Sequence, residues 1–213
     1  MPCNHKFINE LDLERIDFEP STLIVGTFIP EWPGNAGSEW FYGPANDTGG
    51  RRATNFWDVL PKIYAEPGLM NAGPAEWKTF CKQKQIAITG LIKTIEDADR
   101  DNTEHIKILA SGDDKAIVYH FDDFIFTDIP ALLRKHPGIR NVYFTRGITE
   151  AFWRYAWNPV MQYCAVHDIH ERRLLSPSVS ALYQHEAYNK ENHDKTIPSL
   201  EDYILMRWQE EWH

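Results

Sequence analysis

The first place in this chain where chemistry could be done is an asparagine inside a ring-rich segment. Residues 39–64 read EWFYGPANDTGGRRATNFWDVLPKIY. They join Trp40, Phe41 and Tyr42, the pair Arg51-Arg52, and Asn55 immediately before Phe56-Trp57. An asparagine side chain carries one carbonyl acceptor and two N–H donors. It can bond the edge of a nucleobase, or hold a water through its acceptor, or act as a local cap where a helix starts. Three consecutive rings cannot all face inward, because side chains alternate along an extended chain. At least one of the three is expected to plug the loop onto the core. A ring left beside a cleft offers a platform on which a base stacks, worth about 1–3 kcal/mol per base. Arg51 and Arg52 follow Gly49-Gly50. They read either as solvated charges or as guanidinium forks able to grip phosphate.

A second candidate is LLSPSVSALY, residues 174–183. It reads as a strand-to-helix turn with a serine cap, or as a narrow, proline-stiffened loop that enters a groove. In the second reading Ser176, Pro177 and Ser178 contact phosphate, and Val179 or Leu182 is pushed into the base stack. His120, His136 and His167 stand near predicted element ends and read as caps. The pairs Asp113-Asp114 and Asp122-Asp123 read as turns. Ser176 lacks a GxSxG setting, so a serine-hydrolase triad finds no support.

These residues need a frame. STLIVG is an apolar, β-branched run stopped by Gly26, the pattern of a buried strand. Residues 27–50 carry three prolines and five glycines and form a long loop, of the length that usually serves function. TNFWDVLPKIY then predicts a helix capped by Thr54, with Phe56, Val59, Leu60 and Ile63 on one face and Pro61 kinking it or ending it early. Further on, EWKTFCKQK predicts a helix, IAIT a strand and EDADRDN a solvated loop. DIPALLRKH predicts a helix capped by Thr127, NVYFT a strand, TEAFWRYAW a helix and RRLL a strand. A last helix starts at Ser199 with Asp202 three residues on. Strands alternating with helices predict an α/β fold with a mostly parallel sheet covered on both faces. In such sheets ligands bind beyond the carboxyl ends of the strands. The loops after Gly26, Thr145 and Leu175 leave those ends, and the Asn55 segment belongs to the first.

Composition narrows the classes. The 213 residues are 43% hydrophobic and 13% aromatic, enough for one globular domain spanning residues 1–213. The formal charge of −9, from 22 basic and 31 acidic residues, gives no long-range help toward a phosphate backbone. Any nucleic-acid contact must rest on a local patch. Cys3, Cys81 and Cys164 are odd in number and far apart, so neither a disulfide framework nor a CxxC metal spacing is present. His167 and His170 are the only close histidine pair, with no cysteine nearby. The expectation is a metal-free, cofactor-free monomer in the reducing cytoplasm. No run has the look of a signal peptide or of a membrane span.

Taken together, LIVGTFIPE, WFYG and NFWDVL resemble the start of the uracil-DNA glycosylase superfamily. They are most similar to its mismatch-specific (G/U) and deoxyinosine (hypoxanthine) branches, which typically read Gly-x-x-Pro, then a Tyr-Tyr-Gly type stretch, then Arg-Asn-x-Phe-Trp. IAITGLIKTIEDADRDN, PALLRKHPGIRNVYFTRGITEAFWR and LLSPSVSA resemble later pieces, so the likeness runs over residues 22–185. The resemblance implies a three-layer α/β/α sandwich with a four-stranded, mostly parallel sheet. It also implies cleavage of the N-glycosidic bond of a deaminated or mispaired base, uracil or hypoxanthine, in DNA. Such enzymes flip the base into a pocket and need no metal. Main-chain groups at Gly26, Thr27 and Phe28 would then meet the base edge, Phe41 or Tyr42 would stack on it, and Asn55 would hold the water or the base. Arg51, Arg52, Ser176, Pro177 and Ser178 would hold the DNA, with Val179 or Leu182 as wedge.

The chain departs from that pattern in four places. Gly26-Thr27-Phe28-Ile29-Pro30 is one residue longer than Gly-x-x-Pro and lacks the Asn or Asp that several branches place there, which moves the catalytic assignment to Asn55. The insertion PANDTGGRRAT makes Asn46 and Asp47 rivals to Asn55. No histidine precedes Ser-Pro-Ser, and Thr145-Arg146-Gly147 stands where an Asn-Gly is expected. A non-catalytic protein of the same fold that binds a nucleobase, nucleotide or nucleic acid is the alternative, and a hydrolase of small nucleosides a third.

Overall fold

The computed structural model describes residues 1–33, 38–43 and 54–213. The elements run β1 (Cys3–Asn4), β2 (Thr22–Gly26), α1 (Phe56–Ile63), α2 (Pro74–Gln83), β3 (Ile86–Gly90), β4 (Ile92–Ile95), α3 (Thr103–Ser111) and α4 (Asp114–His120). They continue with β5 (Phe124–Phe126), α5 (Ile129–Lys135), β6 (Asn141–Phe144), α6 (Ala151–Val166), β7 (His170–Arg173), α7 (Leu182–Glu191) and α8 (Leu200–Glu211). The fold is α/β. A four-stranded parallel sheet, ordered β3-β2-β6-β7, is flanked by helices. A smaller sheet, β1-β4-β5, is antiparallel.

The chain forms two compact units, each interleaved in sequence. The first comprises Met1–Asn35, Cys81–Phe144 and Ile148–Glu171. Its central strand, β2, pairs in parallel with β3 and β6, so Leu23 lies opposite Ala87 and Val142, and Ile24 opposite Ile88 and Tyr143. Leu23, Val25, Val142 and Phe144 join one core with Leu132 and Leu133 of α5 and Trp153, Trp157 and Val160 of α6. Ile24, Ile88 and Tyr143, on the other face, are buried as well. A strand covered on both faces reads as an unbroken apolar run, which is why TLIVG was legible.

Three sequence expectations for this unit shift. Asp128, not Thr127, caps α5, taking the Ala131 N–H at 2.9 Å. The Thr127 hydroxyl instead donates to the Gly90 carbonyl at 2.6 Å. Helix α6 outruns the predicted 149–157 and carries Pro159 inside; one lost backbone bond is offset by the burial of Trp153, Trp157 and Val160. Strand β7 lies two residues before RRLL.

The second unit comprises Ala36–Phe80, Thr145–Gly147 and Arg172–His213, and its core is aromatic. The Trp57 ring stacks on Trp40 (centroids 5.8 Å apart, 22° between planes) and on Trp77 (5.2 Å, 9°). Its Nε1–H donates to the Phe41 carbonyl at 2.9 Å, so a fully buried indole keeps its polar bond. Phe56 meets Trp57 and Trp208 edge-on. Gly43 is fixed by close approach: a Cβ there would stand 3.1 Å from the Trp77 ring and 3.0 Å from the Trp40 carbonyl. Pro61 leaves the Trp57 carbonyl without its helical partner, and the Leu69 N–H takes it at 2.7 Å. Helix α1 keeps Pro61 inside and runs on to Ile63, so the proline does not end it early. Helix α8 packs against α1, with an ion pair between Lys62 and Glu201. Ser199 caps α8 by accepting from Asp202 N at 3.0 Å.

Candidate active site at the Asn55 helix start

Residues 40–43 make a tight turn, closed by Gly43 N–H to the Trp40 carbonyl at 2.8 Å. The third residue of that turn, Tyr42, has φ +55°. Left-handed backbone suits glycine at this turn position and costs other residues about 1–2 kcal/mol. Contacts with two described residues help hold Tyr42 there. Its ring lies flush on Phe56, centroids 3.9 Å apart and planes within 6°. Its hydroxyl is 2.8 Å from the Thr145 hydroxyl. Of the two rings expected to serve a base, Phe41 is only 2% exposed, and its backbone is bonded to Trp57. Burial removes its ring from that role. Tyr42 is the half-buried one, and Trp40 is the plug.

Asn55 occupies the N-cap position of α1, where Thr54 was expected, yet its side chain does not cap. The Thr54 hydroxyl does the local work, accepting from Phe56 N at 3.1 Å. Asn55 turns elsewhere. Its backbone N–H donates to the Pro177 carbonyl at 2.7 Å, and its Nδ2 approaches the same oxygen at 3.4 Å. Because that oxygen only accepts, it orients the amide: nitrogen toward Pro177, Oδ1 away. Among the described residues no hydrogen bond reaches Oδ1, although the residue is only partly buried. The amide thus leans on Pro177 by its nitrogen and presents an acceptor with the other end.

The same contact brings the Ser-Pro-Ser tip to Asn55. Thr54 and Ser178 form an antiparallel bridge around it. The Trp208 indole anchors the tip's approach by donating to the Leu175 carbonyl at 2.8 Å. Within the tip, the Ser176 and Ser178 hydroxyls are 2.9 Å apart, and those of Ser178 and Ser180 2.7 Å. Ser178 also accepts from Ser180 N and caps a single 3₁₀ turn over Val179–Ala181. Pro177 is buried, whereas Val179 and Leu182 are 48% and 45% exposed.

Other assigned residues fall elsewhere. Gly26, Thr27 and Phe28 belong to the first unit. The carbonyls of Gly26 and Thr27 accept from Leu91 N and Ile92 N at 2.8 and 3.0 Å. The Phe28 ring is buried beside His5. Arg51, Arg52 and the rivals Asn46 and Asp47 lie outside the described residues. Sequence reasoning did not give Thr145 its part as the partner of Tyr42; only tertiary placement reveals it. It also passed over Tyr183, exposed to 80%.

Electrostatics divide between the units. The segments of the first hold 19 acidic and 12 basic residues; those of the second hold 12 and 10. Most of the chain's negative charge therefore lies outside the unit that carries Asn55. Burial raises the thiol pKa values of Cys3 to about 11 and Cys164 to about 12, and pushes Cys81 further up. These thiols stay protonated and are no nucleophiles. Among the described residues no cluster of His, Cys, Asp and Glu could hold a metal, and no helix is long and apolar enough to cross a membrane.

No family model matches the sequence, and no curated protein matches it. A solved structure does match: the solution NMR structure of "a putative Uracil DNA glycosylase from Methanosarcina acetivorans". The two share 13% identity at a TM-score of 0.53, over 93% of this chain and 94% of that one. The fold is uracil-DNA glycosylase-like. At this identity the likeness covers architecture, and the chemistry rests on the residues described above.

Proposed function

We propose that this protein is a DNA glycosylase that hydrolyses the N-glycosidic bond of a deaminated or mispaired base, uracil or hypoxanthine, as a step in base excision repair. The observation that carries the reading is Asn55: a helix-cap asparagine whose amide is turned from capping and leans on the Ser-Pro-Ser tip with Oδ1 outward. The resemblance in sequence and the likeness in fold support it.

In this reading the C1′–N bond breaks and its electron pair leaves with the base. Water adds to C1′, and its proton passes to the departing base or to solvent. A neutral amide is a poor proton acceptor, so Asn55 would not drive attack as a base. It would orient water through Oδ1 once the bond is largely broken, or donate its free N–H to a base carbonyl where charge develops. An uncharged residue avoids repelling an anionic leaving group. Tyr42 would supply the flat wall of the site, and its fixed conformation would set the site's width. Ser176, Ser178 and the main chain around Pro177 would contact phosphate beside the flipped nucleotide. Val179 or Leu182 would fill the gap left in the stack. Arg51 and Arg52 would add phosphate contacts.

The test is base release from oligonucleotides carrying uracil, hypoxanthine or mispaired thymine. Release that Asn55→Ala abolishes supports the reading, and release that survives it removes Asn55 from the chemistry. The acidic balance of the chain favours one second reading, a binding protein for free bases or nucleotides. It expects thermal stabilisation by those ligands with no product formed.

A further inference from the structure

Strand β5 ends the small sheet β1-β4-β5, so one of its sides has no strand beside it among the described residues. Two bonds fix what that side presents. Glu96 N–H donates to the Asp123 carbonyl at 2.8 Å, and Thr127 N–H to the Leu91 carbonyl at 2.9 Å. In an antiparallel pair, residues turn alternately toward and away from the partner strand. Asp123, Ile125 and Thr127 therefore face β4, and Phe124 and Phe126 aim their N–H and C=O groups outward. The irregularity between Ile92 and Thr94 lies on β4 and leaves this alternation intact. Among the described residues no bond from outside the sheet meets the four outward groups. Sheet edges are usually guarded by a lysine, a proline or an inward charge. Phe-Ile-Phe has none of these. Ile125 is 44% exposed, and Phe124 and Phe126, on the other face, stack on each other and meet Phe152. Carboxylates stand at the ends instead. Glu96, Asp97, Asp122 and Asp123 gather at one, where Asp122 N–H donates to Asp97 Oδ2 at 2.9 Å, and Asp128 lies at the other. All five residues are exposed, and residues 121–133 contain no basic side chain.

We propose that the open edge of β5 docks an extended, basic segment of another protein, which adds to the sheet as a fourth strand. Main-chain pairing supplies the hold. An extended segment repeats its N–H and C=O groups every second residue, about 7 Å, the spacing between Phe124 and Phe126. The flanking carboxylates choose the occupant. A second copy of this chain would bring the same carboxylates against themselves, and like charges so placed repel. A nucleic acid lacks the row of amides and meets the same repulsion. Lysine or arginine beside the added strand complements Asp122, Asp123 and Asp128. None of these residues takes part in the proposed chemistry, so the site stands or falls apart from it.

Amide hydrogen exchange followed by NMR reads the edge residue by residue in the full chain. In the free protein the Phe124 and Phe126 amides should exchange fast and the Ile125 amide slowly. The probe is a short synthetic peptide of alternating lysine and valine, blocked at both ends. Added at about ten times its Kd, it should slow exchange at Phe124 and Phe126 about tenfold and leave Ile125 little changed. The double variant Asp122→Asn, Asp123→Asn should bind it several-fold more weakly, and the same peptide with glutamate for lysine should not bind. Both substituted side chains are exposed, and a melting curve checks that the variant folds. Slow exchange at Phe124 and Phe126 in the free, dilute protein overturns the proposal, as does peptide binding that leaves both amides unprotected. So does failure of the lysine peptide to bind, or equal binding of the glutamate peptide, or equal binding by the variant. Protection of the two amides that rises with protein concentration alone would assign the edge to a second copy and overturn it as well.

Discussion

Tyr42 offers the sharpest check on the geometry of the site, because two opposing effects meet in one residue. Replacing it by phenylalanine removes only the hydroxyl that meets Thr145 at 2.8 Å. The stack on Phe56 survives, so the loss should be about 0.5–1.5 kcal/mol, the worth of one hydrogen bond. Replacing it by alanine also removes a ring lying 3.9 Å from its neighbour, an aromatic pair worth about 0.5–1.5 kcal/mol beyond the area it buries. The total should reach about 2–4 kcal/mol, or several degrees in Tm at roughly 2–4 °C per kcal/mol for a chain of this size. Glycine decides the backbone question. At φ +55° it escapes a left-handed penalty of about 1–2 kcal/mol, while greater freedom in the unfolded chain takes back about 0.4–1 kcal/mol. Tyr42→Gly should therefore be no less stable than Tyr42→Ala, and more stable by up to about 1.6 kcal/mol, the reverse of the order in helices and strands. Thermal and urea unfolding of the four proteins gives the ranking Tyr, Phe, Gly, Ala. A glycine variant less stable than the alanine variant would show that the turn does not hold Tyr42 in the left-handed region, and the account of a conformation fixed by Phe56 and Thr145 would fall.

Two other expectations concern the frame. Gly43→Ala forces a methyl to within 3.1 Å of the Trp77 ring and 3.0 Å of a backbone oxygen. It should cost about 1–3 kcal/mol by urea unfolding, the range for overpacking a close-set core. His5 is buried, and desolvation pulls its pKa down to about 3. The unfolded chain binds the proton that the folded one refuses, so stability should fall as pH drops from about 6.5 toward 3, by about 1.4 kcal/mol per unit. His5→Gln should flatten that acid limb of a Tm-against-pH curve; an unchanged slope would assign the acid sensitivity to other groups.

The parts of the fold legible in sequence are those with a strong one-dimensional signature. TLIVG and NVYF announce strands buried on both faces, and Ser199 with Asp202 announces α8. The antiparallel sheet β1-β4-β5 left no comparable mark. Strand β1 has two residues, and β4 follows β3 after a single residue, so only IAIT was read as a strand, and the second one over Ile92–Ile95 shows itself through tertiary pairing. Helices α3 and α4 are short; their caps, Asn102 and Asp113, each accept from backbone N–H groups ahead of them, but neither helix was predicted, and Asp113-Asp114, read as a turn, is the start of α4. At the site, residue types pointed to Asn55 and to Ser176-Pro177-Ser178, but not to their contact. That contact runs between residues 122 positions apart. No local periodicity encodes it. The same holds for Thr145 beside Tyr42. Which of three consecutive rings stays near the surface was also a packing question, answered when Trp57 drew Trp40 and Phe41 inward.

The most direct measurement is single-turnover release of uracil and hypoxanthine by wild type and by Asn55→Ala, with Tm recorded for both. Side-chain removal at a half-buried position whose amide makes one hydrogen bond among the described residues, at 3.4 Å, should leave the fold intact. It should slow release by about a hundredfold or more, the scale set by losing one positioned polar group at a reacting centre. Equal rates for the two proteins would contradict the account, because no chemistry would then pass through the amide that the helix start holds open.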